Sequence, residues 1–97
     1  MDKPWWDRSE FSERRQNLVV RSEVLAEIRR YFADSGFIEI ETPVLQVSPG
    51  LDRHTQPLKT VLKGPFEAQP QHRYLHTSPE FAMKKLLAAG EPKIFQI

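Results

Sequence analysis

YLHTSPEFAMKKLLAAGEPKIF, residues Tyr74 to Phe95, runs a short strand directly into a helix. Thr77-Ser78-Pro79-Glu80 has the composition of a helix start, and Gly90 followed by Pro92 that of its stop. Thr77 at the N-cap places Glu80 at N3, the spacing of a T-x-x-E capping box, with Pro79 in the first turn where a missing N–H costs nothing. A carboxylate and several backbone N–H groups then meet at one point. Such a point closes a helix, or it holds the amino end of a ligand. Spacing alone favours the plain cap, because capping boxes are common and ligand carboxylates rare.

On either side of that junction the pattern is a sheet fragment. Upstream, Leu58-Lys59-Thr60-Val61-Leu62 is a short strand candidate, Lys63-Gly64-Pro65 turns the chain, and the polar stretch from Phe66 to Gln71 leads back into Arg73-Tyr74-Leu75-His76 as a hairpin. Across the helix, Glu80 to Ala89, a packing stripe is supplied by Phe81, Leu86 and Leu87 with Ala82 and Ala88. Lys93-Ile94-Phe95-Gln96-Ile97 restarts a strand.

The N-terminal third is dominated by helical periodicity. From Ser9 to Ser35, Leu18, Leu25, Ile28 and Phe32 share one face, flanked by Val24 and Tyr31, while Arg21, Glu23, Glu27, Arg29 and Arg30 take the other sides. Polar residues from Arg15 to Asn17 allow a break there, and Gly36 supplies the left-handed residue that ends the helix. Phe37-Ile38-Glu39-Ile40-Glu41 alternates as a half-buried strand, closed by Thr42-Pro43. Gln46 to Pro57 is a loop built on Ser48-Pro49-Gly50. Met1 to Arg8 forms an arm whose Trp5-Trp6 pair has apolar area to pack on the body or on a partner. His54, His72 and His76 stand at no metal-ligand spacing, so His54 reads as a surface residue and no metal site is assigned.

Ser78-Pro79-Glu80 with Phe81, Lys84-Lys85-Leu86-Leu87, Gly90 and Ile94-Phe95 resembles the amino-acid-binding segment of class II lysyl-tRNA synthetases, and more closely that of the short relatives that ligate lysine to elongation factor P. The long helix, Gly36, the alternating strand and Pro43 with Val44-Leu45 are similar to class II motif 1. The resemblance implies an α+β fold, the first part of a class II catalytic domain. It implies that Ser78, Pro79 and Glu80 line the amino-acid pocket, with the glutamate accepting a hydrogen bond from the substrate's amino group. It also implies that Gly36 and Pro43 mark a homodimer interface, that ATP and Mg²⁺ serve the parent enzyme, and that lysine or β-lysine and elongation factor P are its substrates.

On this reading residues 1–97 are a single partial domain: arm 1–8, motif 1 helix and strand 9–45, loop and hairpin 46–73, amino-acid-binding strand and helix 74–97. The family's motif 2 and motif 3, which grip ATP, are not found, nor is a glycine-rich phosphate loop. Adenylation by these residues alone is therefore not expected, since it requires cationic groups on the phosphoryl oxygens. The long helix begins close to Met1, leaving no room for the anticodon-binding domain of a lysyl-tRNA synthetase, which favours the ligase. The alternatives are a fragment of such a synthetase, or a non-catalytic dimerisation module.

Composition bounds the remaining choices. Fourteen basic and thirteen acidic side chains give a formal charge of +1, which is no electrostatic footprint for nucleic acid. The 39% hydrophobic and 28% charged content is that of a globular chain, although one of 97 residues has a small core. Lack of cysteine excludes disulfides and thiolate chemistry. No apolar run approaches the roughly 20 residues that span a bilayer, and no signal sequence is recognised, so a cytoplasmic location is expected.

Overall fold

A computed structural model describes residues 2–48, 56–65 and 69–97. The Pro49-Gly50 turn, Leu51-Asp52-Arg53, His54 and the start of the Phe66 to Gln71 stretch lie outside the described residues. The chain divides into two compact units, Met1–Ile38 and Glu39–Ile97.

The first unit is built on helix α1, Arg8–Asp34. Asp7 caps it: its carboxylate accepts the Ser9 N–H at 3.0 Å and the Ser9 hydroxyl as well. The start thus lies one residue before the expected Ser9, because an aspartate fits the N-cap better than the arginine that follows it. No break occurs at Arg15 to Asn17; arginine and glutamine are good helix formers and the backbone runs through them. The end is a Schellman turn. Gly36, at φ 84°, donates to the Ala33 carbonyl at 3.0 Å, and Phe37 donates to Phe32 at 2.9 Å. The accompanying apolar contact is present too, with the Phe32 and Phe37 rings 5.3 Å apart.

Along α1 no side chain is fully buried: Leu25 and Phe32 are half-buried, while Leu18, Val24, Ile28 and Tyr31 are exposed. Glu27 and Arg30 pair at 2.7 Å, balancing charge on the polar side. Trp5 and Trp6 meet edge to face at 5.5 Å, but each is 66% exposed. The expected packing of this pair on the body is therefore not found; Arg14 instead donates to the Trp5 carbonyl at 2.9 Å.

The second unit carries two small sheets and a short helix. Its first residue, Glu39, closes β1, Ile38–Glu39, which forms a two-stranded sheet with β5, Ile94–Phe95, extended by Ile40 N–H donating to the Phe95 carbonyl at 2.9 Å. β1 is shorter than the Phe37–Glu41 alternation suggests, and β5 shorter than Lys93–Ile97. The other sheet has the order β2-β4-β3, from β2 at Leu45–Gln46, β3 at Leu58–Leu62 and β4 at Gln71–Leu75, all antiparallel neighbours. β2 claims Gln46 from the expected loop. The expected hairpin between β3 and β4 is present, in a register that aligns Leu45, Leu75 and Leu58 in one row across three strands.

Helix α2 spans Glu80–Ala88 and ends as expected at Gly90, whose φ is 116°. This is a second Schellman turn: Gly90 donates to Leu87 and Glu91 to Leu86, each at 3.1 Å. Among the described residues only Ile94, Phe95 and Thr42 are buried, so the interior of this unit centres on β5. The architecture is α+β, as the sequence implies. No described helix is long and apolar enough to cross a membrane.

Candidate functional site at the start of helix α2

Strand β4 delivers the chain to Thr77, and the first turn of α2 begins two residues later. The expected capping box does not form. Pro79 already has helical backbone angles, φ −74° and ψ −3°, and its carbonyl accepts from Met83 N–H at 3.0 Å. The side chain that serves the helix start belongs to Ser78, whose Oγ accepts the Glu80 N–H at 3.2 Å. Ser78 therefore supplies the side-chain bond at the helix start, one residue ahead of Pro79, the N-cap residue whose carbonyl accepts the first helical bond. Two residues, not three, separate Ser78 from Glu80. The reciprocal bond of a capping box has no partner at that spacing.

Glu80 is consequently not folded back on the main chain of Thr77. Its Oε1 lies 3.1 Å from the ammonium of Lys84, one turn along the helix, and its side chain is 71% exposed. Lys85 turns the other way, its ammonium 5.0 Å from the centre of the Phe81 ring. Ser78 and Glu80 are exposed and Pro79 half-buried, so the three predicted residues form one accessible turn. A carboxylate in this position can receive a primary amine. Its pairing with Lys84 is an interaction of that chemical kind.

The backbone leading to this turn is fastened on the strand side. His76 N–H donates to the Val44 carbonyl at 2.9 Å, continuing the β2–β4 pairing by one residue. The His76 ring is half-buried, and its Nδ1 is closed off from solvent with no hydrogen-bond partner among the described residues. Val44 follows Pro43, the second residue expected to mark motif 1, which is exposed. On the other side of Pro43, Thr42 is buried and both its N–H and its hydroxyl donate to Gln96 Oε1, at 3.1 and 2.9 Å. Gly36 lies in the first unit, at the α1 stop.

A model of the class II tRNA synthetases (D, K and N) matches residues 2–97. The chain belongs to this family. It is 47% identical over 81 residues to proteins named elongation factor P–(R)-β-lysine ligase from Salmonella paratyphi B, Salmonella schwarzengrund and Salmonella heidelberg. Each match covers 84% of this chain and 25% of the relative. The chain thus spans about a quarter of the length of the curated relatives it matches.

ATP and Mg²⁺ are the cofactors that the resemblance implies for the parent enzyme. Among the described residues no group of three or more His, Asp or Glu side chains is placed to hold a metal ion. At the exposed turn, Lys84 pairs with Glu80 and Lys85 lies over the Phe81 ring. The described residues do not fit a metal-bound nucleotide, and no step through one is assigned to them.

Sequence reasoning located the turn and missed the Ser78 bond and the Thr42–Gln96 contact. The first had a legible signal. The residue before a proline avoids helical angles, so Ser78 stays outside the helix with its hydroxyl free to bond the first turn.

Proposed function

We propose that the Ser78-Pro79-Glu80 turn recognises an amino group of lysine or β-lysine, as the substrate-binding segment of an ATP-dependent ligase acting on a lysine of elongation factor P. The observation that carries this reading is the Glu80 carboxylate, exposed, unbound to the main chain, and 3.1 Å from an alkylammonium. The names of the relatives support the choice of this substrate class over transfer to tRNA. ATP would supply activation of the amino acid's carboxylate, through residues other than those described.

In this reading the chain contributes recognition of the amine and a dimerising helix. The apolar face of α1, with Leu18, Val24 and Ile28 exposed, would pair with a second copy, and Gly36 and Pro43 would flank that interface. The same exposed stripe favours a second reading, a non-catalytic dimerisation module.

Amide chemical shifts of the 97-residue chain during titration with lysine test the proposal. Shifts are expected at Ser78 and Glu80 with lysine or β-lysine and not with lysine acetylated on both nitrogens, which carries no ammonium. Equal responses to the free and the acetylated amino acid would overturn it.

A further inference from the structure

We infer that Gln96 is a positioning residue for the turn at Ser78 to Glu80, acting through Thr42 and His76; its functional arm rests on the reading just proposed.

The contact is defined by its chemistry. Thr42 N–H can only donate, so the Gln96 atom that meets it must be the amide oxygen, and the same oxygen takes the Thr42 hydroxyl. One acceptor thereby holds two donors of a buried residue separated from it by 54 positions. β1 and β5 alone do not reach this far: the last main-chain bond between these segments is from Ile40 to Phe95, and the Gln96 side chain replaces the next.

What this fixes is the course of three residues, Thr42-Pro43-Val44. Gln96 holds Thr42, proline has one φ well, and the Val44 carbonyl receives His76 N–H at 2.9 Å. His76 lies two residues before Ser78. The path from Gln96 through Thr42, Pro43 and Val44 to His76 is thus five residues long, held at Thr42 and at Val44 by hydrogen bonds and at Pro43 by its fixed φ. Removing the acceptor at Gln96 frees Thr42 and lets the Val44 carbonyl drift from His76. The turn bearing Glu80 then loses its fixed approach from the strand.

Hydrogen exchange of individual amides in the intact chain tests this. Gln96→Met keeps length and shape without an acceptor, Gln96→Glu restores acceptor oxygens, and Thr42→Val removes only the hydroxyl. In Gln96→Met, exchange should rise roughly fivefold or more at Thr42 and also at His76, with Ile40 unchanged; that ratio corresponds to an ordinary hydrogen bond. Gln96→Glu should return both amides toward the parent rates. An effect confined to Thr42, with His76 at its parent rate, would overturn the positioning role, and so would equal loss at Ile40, which signals general unfolding. Should Gln96→Met fail to fold, Thr42→Val decides by the same two amides. Lysine titration of the same variants separates the two proposals. Weaker lysine-induced shifts at Ser78 in Gln96→Met support both, and absence of any lysine response in the parent chain sinks the amine-binding reading while leaving the exchange result to judge Gln96.

Discussion

Glu80 holds Lys84 at 3.1 Å across one helical turn, and this pair rather than a capping bond sets what the Glu80 carboxylate can do. An exposed i,i+4 pair stabilises a helix by only about 0.3 to 0.5 kcal/mol, so an incoming amine displaces Lys84 at little cost. Lys84→Met should therefore tighten lysine binding by no more than roughly twofold. Glu80→Gln should weaken it by about 1.5 kcal/mol, roughly tenfold, the low end for a hydrogen bond to a charged group because this side chain is largely exposed. Titration calorimetry on both variants checks the order. Unchanged affinity in Glu80→Gln would return the residue to a purely local helix role.

Ser78 and Thr77 can be told apart by the same logic. Only Ser78 accepts from the helix start, so Ser78→Ala should destabilise α2 by about 1 kcal/mol while Thr77→Ala leaves it within about 0.5 kcal/mol of the parent. Exchange rates of the α2 amides read out the difference.

Both helix stops use glycine at positive φ, 84° at Gly36 and 116° at Gly90. A methyl group at Gly90 would meet no atom within 4 Å, so the cost of Gly90→Ala is one of backbone conformation and not of crowding. It should amount to about 1 to 2 kcal/mol, as should that of Gly36→Ala. Faster exchange of the Glu91 amide in the first variant and of Phe37 in the second is the expected signature, since each closes its Schellman turn.

The Asp7 cap predicts a pH dependence of α1. Hydrogen bonds from the Ser9 side chain, then from the Ser9 N–H, lower the Asp7 pKa from its ordinary value. A carboxylate favoured in the folded state adds stability above its unfolded pKa and loses it as pH falls through the lowered folded value. Acid titration followed by circular dichroism should therefore show fraying of the N-terminal turn of α1. Asp7→Asn, which keeps an acceptor and does not titrate, should remove that pH dependence.

If α1 pairs with a second copy, a charge in its apolar face should separate them. Ile28→Asp is expected to shift sedimentation from dimer to monomer while leaving the β3–β4 hairpin intact. A monomeric parent chain would sink the dimer proposal at once.

The long helix, the hairpin and both glycine stops were legible because each rests on local chemistry: periodicity, turn residues and a required positive φ. The side-chain bond at the α2 start comes from Ser78 and not from Thr77 because both hydroxyls suit that task, and Pro79, by keeping Ser78 out of the helix next to Glu80, decides between them. Thr42 with Gln96 could not be read at all. Contacts between residues 54 apart leave no period in the sequence, and both side chains are ordinary polar ones that solvent would satisfy equally well. The Trp5-Trp6 pair was expected to pack because of its area, but area alone does not say what covers it.

The strand from Leu58 to Leu62 has a neighbour, β4, on one side, and borders no other described strand on its far side. Leu58, Val61 and Leu62 are exposed along it, with Lys59 the charged residue among its five. A bare rim of this kind is a template for further extended chains, and lysine is a common guard against such stacking. Held as a separate polypeptide, this one would turn fibrous most readily where that positive charge is removed, by acetylation or by Lys59→Gln.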